Sequence, residues 1–473
     1  MKLTSLVPFA CAAIFLVLST GRSMAGAPNP ISTAGLNPNQ AAIAKNINSG
    51  SPGVFFIPFP LPAPGTASAL AFDINALPAS QRPGALDQLS PEEFGQFSSM
   101  TAFNNASFET EAMDNYLAGR RDQNGNFFGG SGSIDASGLV LGQPGYDPNM
   151  SALHSRLLAL NQGPSAGTVS DMTNPLFGGT DSKDMKDMKS VAGPSYTNPW
   201  NFFVRGGVVL SQGLSQPNVA HFDGNTESVV LGTDYRLTPN LLLGLTAGYG
   251  HTDVTLDTNN SSATVDSYSP GLYASYADKG WYADLTGNYV YNTYTQDRKI
   301  AFLAETADSA TQGNQGTANI DGGYDFHQGA LTFGPLAGLQ YTHLSVNSYS
   351  ESGAPLADLN VNDQESDSLR SRLGGRVSYT LNFGGLCFQP HLDATWQHEF
   401  MDQSRGITSQ FEGAGLGSFS VSTQTPSRDF ALADVGFDLK INRSITAFTD
   451  YEVEAGQANY FGQSVQAGIT IGF

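Results

Sequence analysis

From Trp200 to the end of the chain, apolar and polar residues alternate with a period of two. This period is typical of β-strands that have one apolar and one polar face. The last stretch is the clearest example, because Val465, Ile469, Ile471 and Phe473 share one side, while glutamine, glycine and threonine occupy positions between them. A soluble sandwich would show the same alternation, so the period alone does not place these strands in a membrane.

The placement of charge separates a membrane barrel from a soluble sandwich. In residues 369–381, one face is apolar and the other carries three arginines, and acids elsewhere also occupy the polar register of their strands. A barrel with a wet lumen requires this arrangement, because a charge that faces lipid at the midplane costs roughly 2–4 kcal/mol. We therefore predict a lumen lined by Arg370, Arg372, Arg376, Asp234, Asp284, Asp434 and Asp438.

Short and long connections alternate along the same region, and their number predicts the topology. Five tight turns and six longer polar connections would join twelve strands. The sequence thus predicts an all-β membrane protein, a 12-stranded antiparallel transmembrane β-barrel. Both barrel termini would face the periplasm, because the short-turn side of such barrels is periplasmic. The longer connections are expected near residues 212–225, 253–262, 296–313, 347–364, 403–426 and 455–460.

The region before the barrel predicts a small helical segment, residues 26–121, and a flexible linker, residues 122–195. One helix is expected to begin at Asn37, with Pro38 in its first turn and Gly50 past its end. A second is expected from Ser90 to about Leu117, with one aromatic face that packs on an apolar surface. Between them, alternate prolines from position 58 to 64 favour an extended segment.

The N-terminal sequence predicts export, and the composition argues against several classes of function. Residues 1–25 contain Lys2, an apolar run and the site Ser23-Met24-Ala25, which together predict a secretory signal peptide. The rest of the chain contains only one cysteine, Cys387, so no intrachain disulfide is expected. The net charge of -20 argues against a nucleic acid partner. No apolar run after the signal is long enough for a membrane helix, which leaves a closed barrel as the spanning structure.

Five stretches in a fixed order carry a resemblance to a known family. They are GTDYRLTPNLLLGLTAGYGHTDV, WYADLTGNYVYNTYTQDR, LRSRLGGR, WQHEF and TDYEVEAG, followed by a terminal phenylalanine. Together they resemble the C-terminal β-barrel domain of autotransporters, the type V secretion family, over residues 196–473. The stretches NPNQAAIAKN and ALDQLSPEEF are similar to the helical region that precedes the barrel in the family. The N-terminal region is unusually short for the family and shows no obvious passenger.

The resemblance implies that the protein lies in the outer membrane of a Gram-negative bacterium and displays its own short N-terminal segment at the cell surface. The alternative is an integral barrel or pore whose N-terminal segment stays in the periplasm. The implied partners are outer-membrane lipid, the barrel assembly machinery and periplasmic chaperones. The resemblance also implies a helix in the lumen just before the first strand, and Asp181–Val191 matches it in position and polarity. The implied assembly signal is the last strand, with Phe473, Ile471, Ile469 and Val465.

Motifs that would indicate catalysis or metal binding are weak. Gly163–Gly167 fits the G-x-S-x-G pattern of hydrolases, but it lies in the predicted linker without the strand and helix that the motif needs. His391 and His398 fall on opposite faces of one strand, and no HExxH or CxxC spacing occurs. Acidic runs in two long connections are read as solvated loops rather than cation sites. We therefore expect no catalytic, cofactor or metal site, and the sequence names no surface ligand.

Overall fold

The computed structural model describes residues 30–50, 67–123, 199–214 and 221–473, with short breaks at 257–258, 384–385, 402, 413–414, 426, 443 and 459. Among the described residues, no helix has the length and apolar character to cross a membrane. Several predicted features lie outside the described residues: the signal peptide (1–25), the proline-rich stretch (54–65), the linker from residue 124 to 195, the Gly163–Gly167 motif and the predicted lumen helix Asp181–Val191.

Twelve of the described strands form a closed antiparallel barrel, which confirms the predicted fold. Each pairs with its two neighbours along the chain, and the first pairs with the last from Asn201↔Gly472 to Gly213↔Tyr460. The strands are β1 Trp200–Gly213, β2 Phe222–Thr238, β3 Leu241–Leu256, β4 Ser262–Asp278, β5 Trp281–Ile300, β6 Glu305–Tyr324, β7 Leu331–Val346, β8 Gln364–Tyr379, β9 Leu386–Glu399, β10 Asp429–Lys440, β11 Ile445–Ala455 and β12 Tyr460–Gly472.

Side chains along these strands alternate between an outer apolar surface and an inner polar lumen. In β12, Val465 and Ile469 are 54% and 45% exposed, whereas the intervening Gln466 is buried. In β8, Leu373 points outward and is 51% exposed, while Arg372 points into the lumen and is 1% exposed. The apolar band therefore faces lipid, and the charged register lines the interior.

A repeated pair of residues marks one edge of the apolar band. On three strands, a histidine follows an outward-facing aromatic residue by two positions and contacts an aspartate on the next strand through Nδ1. Tyrosine hydroxyls donate to the same carboxylate in two of the three cases. Because the three histidine–aspartate pairs lie on the same side of the apolar band, they form a polar rim at one membrane–water interface. The pairs are His251–Asp266, His343–Asp367 and His398–Asp429, each at 2.8 Å.

The two ends of the barrel differ in the length of their connections, as predicted. At the end with tight turns, which we call the floor, Lys279 and Gly280 form a two-residue turn with φ of 52° and 90°. Short strands Phe326–Gln328 and Leu381–Phe383 also lie at the floor. We call the other end the mouth. There the prediction of a long loop at residues 296–313 is wrong. There β5 and β6 continue as a polar hairpin with only residues 301–304 between them. Beyond the lipid, both faces of a hairpin can be polar while the backbone stays paired.

Two long connections build a second sheet at the mouth, and the first three N-terminal helices pack on it. The N-terminal helices are α1 Pro38–Ser49, α2 Ala67–Ala76, α3 Arg82–Asp87 and α4 Glu92–Gln123. The predicted start of α1 is confirmed, because Asn37 and Gln40 cap each other's backbone amides. This mouth sheet comprises Tyr349–Ser350, Leu359–Val361, Gly406–Phe411 and Phe419–Ser422.

We call helices α1–α3 the cap. The contact between the cap and the mouth sheet has an apolar core and specific polar links. Ile43 and Leu70 belong to the same buried cluster as Ile407 and Leu416. The Asn39 side chain donates to the Ser422 carbonyl and accepts from the Ser422 amide, each at 2.9 Å. The helices and the barrel belong to one compact unit. Helices α1–α3 therefore lie at the mouth, opposite the tight turns.

Candidate functional site in the barrel lumen

The lumen contains a long helix, α4, which we call the lumen helix. Its 32 residues extend about 48 Å, longer than the roughly 25 Å apolar band. The sequence predicted this helix but assigned the lumen to Asp181–Val191, which lies outside the described residues. The predicted aromatic face of the helix is buried, and the other faces of the helix are buried too, because the barrel wall surrounds it. At its start, the Ser90 hydroxyl accepts a hydrogen bond from the amide of Glu92 at 3.2 Å.

At the mouth, the lumen helix is held by aromatic contacts. Phe94 packs edge-on against Tyr294 and Tyr349, with ring centroids 5.7 and 5.5 Å apart, and against Phe97 at 5.0 Å. These T-shaped contacts contribute beyond the burial of their area. They join the first turns of the lumen helix to the barrel wall and to the mouth sheet.

The mouth also holds a group of buried carboxyls. Burial raises the pKa of Glu92 and of Glu93 to about 7, and it also raises the pKa of Asp87. The nearby Arg298 guanidinium partly opposes the rise for Glu93 and is itself paired with Glu351 of the mouth sheet. Arg298 also donates to the Gln88 carbonyl and the Ala357 carbonyl, so it links the helices, the wall and the mouth sheet.

Halfway down the lumen, two arginines of β8 bind the helix. Arg370 donates to the Asn104 side chain and the Ser107 hydroxyl, each at 2.8 Å, and contacts Glu399 at 3.1 Å. Arg372 contacts three carboxylates: Glu111, Asp114 at 2.7 Å and Asp321 at 3.2 Å. Because these groups are desolvated, each arginine is the main compensation for the acids around it.

At the floor, the helix ends in two arginines that face acids of the barrel wall. Arg120 contacts Asp234 at 2.8 Å, and the Tyr116 hydroxyl donates to the same carboxylate. Arg121 contacts Asp284 at 2.5 Å and Asp325 at 3.6 Å, and it lies 3.8 Å from the centre of the Tyr282 ring. Positive side chains in the last turn also suit the helix dipole. We call Asp234, Asp284 and Asp325 the floor acids.

The structure places all seven predicted lumen charges on the inner face. Arg370 and Arg372 meet the middle of the helix, and Asp234 and Asp284 meet its last turn. The other three follow on β8 and β10. Arg376 lies 3.7 Å from Asp393, Asp434 is 2% exposed, and the Asp438 carboxylate lies beside Gly119 of the helix.

The residues of the predicted assembly signal lie on the outside of β12. Val465, Ile469 and Ile471 are exposed on the outer surface, and Phe473 is 70% exposed at the end of the chain. The Phe473 amide donates to the Trp200 carbonyl at 3.1 Å, which ties the terminus to the start of β1. Their role as an assembly signal stays a prediction.

Sequence reasoning missed the helix side of this interface. Glu111, Asp114 and Tyr116 lie within the predicted helix but were not predicted to make contacts in the lumen. Arg120 and Arg121 lie beyond its predicted end, since the helix continues to Gln123. A signal was present, because the stretch that forms the helix is long and carries acids at its start and arginines at its end. The site can hold a polar helix inside a closed barrel through paired charges. The serine motif Gly163–Gly167 lies outside the described residues.

Comparisons with known proteins agree with this architecture. Residues 202–452 match the family described as autotransporter beta-domain. The chain is similar to esterase EstA of Pseudomonas aeruginosa, with 26% identity over 282 residues, 58% of this chain and 43% of that protein. It is also similar to the extracellular serine protease of Serratia marcescens, with 27% identity over 256 residues, 54% of this chain and 24% of that protein. The chain spans less than half the length of these relatives.

Solved structures of barrels also match. The translocator domain of autotransporter NalP from Neisseria meningitidis aligns with 13% identity and a TM-score of 0.48, and covers 69% of this chain and 98% of that chain. The transport unit of the autotransporter AIDA-I from Escherichia coli aligns with 17% identity and a TM-score of 0.44, and covers 62% of this chain and 94% of that chain.

Proposed function

Because the chain belongs to the autotransporter β-domain family, we propose that its barrel displays its own N-terminal helices at the cell surface. The barrel lies in the outer membrane of a Gram-negative bacterium. The displayed part is the cap, formed by α1–α3 on the mouth sheet. The lumen helix is the part of the chain that remains across the membrane after the N-terminal segment has passed through.

One observation carries this proposal, namely the direction of the lumen helix. Its first turns pack at the mouth, and its last turn meets the floor acids. The tight-turn end of such barrels faces the periplasm, so the mouth faces the outside. Residues that precede the helix therefore emerge on the outer side of the membrane. The links from Asn39 and Asn46 to the mouth sheet support the same placement.

We further propose that the protein acts as an anchor and translocator without catalysis of its own. The relatives are named as an esterase and a protease, and the residues that match the family model, 202–452, are those of the barrel. Ion pairs and hydrogen bonds hold the lumen helix against the barrel wall, and such contacts suit the retention of a helix. The barrel assembly machinery and periplasmic chaperones are the proposed partners, and they would read the last strand with Phe473. The surface ligand is not assigned.

Cysteine labelling of intact cells tests the display. In a Cys387→Ser background, Ser80→Cys places a thiol on an exposed position of the cap. Ser418→Cys marks the mouth sheet, and Gln328→Cys marks a floor turn; both positions are exposed. With a membrane-impermeant maleimide, we expect the cap and mouth thiols to react on intact cells. The floor thiol should react only after lysis.

The mouth and floor variants are matched controls for the orientation of the barrel. If the mouth thiol reacts but the cap thiol requires lysis, the N-terminal helices stay in the periplasm and the display is wrong. That outcome would favour an integral barrel or pore instead. If the floor thiol reacts on intact cells and the mouth thiol does not, the assigned orientation is wrong.

A further inference from the structure

A cluster of acids faces the lumen where β9, β10 and β11 lie side by side. In the register of the sheet, Asp393 pairs with Asp434, and Asp434 pairs with Glu452. The next row contains His391, Gly436 and Asp450. All four acids and the histidine are buried. Direct cross-strand neighbours of like charge are destabilising, and here three carboxylates stand in one row.

The cations within reach do not balance these acids. Arg376 lies 3.7 Å from Asp393, and Arg205 lies within electrostatic range of the two acids of β11. Glu111 of the lumen helix is also close, but it is already paired with Arg372. Four carboxylates therefore face two guanidiniums and one imidazole. A neutral imidazole leaves an excess of two negative charges and a protonated one leaves an excess of one, and either excess is costly in a buried site unless a further cation binds.

Several buried polar atoms of the cluster lack a hydrogen-bond partner among the described residues, although His391 Nε2 itself contacts Asp450 Oδ1 at 2.9 Å. Asp434 is 2% exposed, and neither of its oxygens accepts a hydrogen bond from any described residue. Its Oδ1 lies 3.4 Å from His391 Nε2. Within the described part of the chain, Asp393 Oδ2 and His391 Nδ1 are also without hydrogen-bond partners. Polar atoms this deeply buried normally have a hydrogen-bond partner, so we expect a ligand between them.

The backbone leaves space beside the cluster. A Cβ atom on Gly436 would lie 2.4 Å from Asp450 Oδ1 and 2.6 Å from His391 Nε2. Both distances are too short for a real side chain, so only glycine at this position lets the imidazole and the carboxylate approach. A side chain there would prevent the histidine from reaching Asp434.

We infer that His391, Asp393 and Asp434 form a binding site for a divalent first-row transition metal ion in the lumen wall. One donor atom from each residue lies within 4.8 Å of the others. Donors in a tetrahedral site with bonds of about 2.1 Å are roughly 3.4 Å apart, so an inward movement of each donor atom by up to about 0.8 Å, within reach of side-chain rotation, closes the site. One imidazole with two carboxylates favours zinc-like ions over calcium or magnesium.

Such an ion would join β9 to β10 and neutralise the acidic row behind the lumen helix. No motif of the sequence indicates a metal site here, because His391 and Asp393 are two positions apart and the third ligand, Asp434, lies on a different strand. Only the strand register brings them together. The site is independent of the display of the N-terminal helices, so either proposal can fail alone.

Cobalt binding by the full chain tests this site. The chain is folded into detergent with Co²⁺ already present, so that a closed lumen cannot block entry, and loose metal is then removed. We expect one cobalt per chain with a visible absorption band that Zn²⁺ abolishes. Asp434→Asn, which keeps the shape and removes the charge, and His391→Gln should each weaken the affinity at least tenfold. His398→Gln, on the outer face of the same strand, is the matched control and should bind like the wild type.

Thermal unfolding gives a second readout that does not depend on colour. Zn²⁺ should raise the unfolding temperature of the wild type and of His398→Gln, but not that of Asp434→Asn. The heat-dependent gel shift shows whether each variant has formed a barrel. Absence of bound cobalt in a folded wild type would overturn the site, and so would equal binding in all four proteins. If Asp434→Asn is the more stable chain and neither protein retains metal, the carboxyls hold protons instead.

Discussion

Replacement of Arg372 by methionine tests whether paired charges hold the lumen helix in place. Arg372 is 1% exposed and contacts Glu111 and Asp114 of the helix and Asp321 of β6. Methionine fills much of the same space without the charge, so three buried carboxylates lose their common partner. Removing one partner from a buried ion pair costs about 3–5 kcal/mol. About 1.4 kcal/mol corresponds to a factor of ten in an equilibrium constant, so the population in which the helix has detached from the barrel wall should rise at least roughly 10²-fold.

Hydrogen exchange of peptides from the lumen helix measures this opening, with amides of the barrel strands as an internal reference. We expect faster exchange in Arg372→Met and unchanged exchange in Lys279→Met, a control at an exposed turn. Glu111→Gln should have an effect smaller than tenfold, because Arg372 keeps two acids. The double variant should exchange more slowly than Arg372→Met, since one fewer carboxylate is left unpaired. Wild-type exchange in a folded Arg372→Met would refute the idea that these ion pairs retain the helix.

Three further predictions follow from the lipid face, the mouth and the last strand. Leu231→Arg should lower the temperature of the heat-dependent gel shift far more than Ser228→Arg, because Leu231 faces lipid and Ser228 lines a lumen cavity; equal shifts would contradict the register. Folded Glu92 and Glu93 hold protons up to about pH 7, so cap stability should fall as pH rises from about 4.5 to 7. A dye on the cap should report a higher urea midpoint at pH 5.5 than at pH 8, and glutamine at both positions should shrink the difference to the part that Asp87 contributes. Deletion of Phe473, which is 70% exposed, should reduce assembled barrel in cells but barely change melting in detergent; normal levels in the membrane would exclude it as a signal.

The barrel was predictable because its constraint is local. A strand between lipid and a wet lumen must alternate, so Leu373 and Arg372 reveal their faces from the sequence alone. The polar hairpin at the mouth was not predictable in this way. Outside the lipid, neither face of a strand must be apolar. The paired ends of β5 and β6 therefore show no hydrophobic period from which a strand could be predicted. The cap contacts of Asn39 with Ser422 join residues far apart in sequence, and no local pattern encodes them.

The identity of the lumen helix was missed because its burial does not require an apolar face. The predicted segment Asp181–Val191 was chosen for its position just before the first strand, and its place in the structure lies outside the described residues. The helix Glu92–Gln123 is buried by walls that carry both apolar and charged side chains, so its charges serve as contacts rather than as a solvated surface. A helix with one apolar stripe is normally read as exposed on its other faces. Inside a charged barrel that rule no longer holds.

Charge also explains the direction of the lumen helix, and therefore which of its ends lies at the mouth. The helix begins with acids, and Glu93 lies near Arg298 at the mouth. It ends with Arg120 and Arg121, which meet the floor acids. A helix inserted the other way would set arginines beside Arg298 and glutamates beside the floor acids, and like charges in a desolvated lumen repel strongly. The same distribution of charge that lets the helix lie in the barrel thus places the residues before it at the mouth.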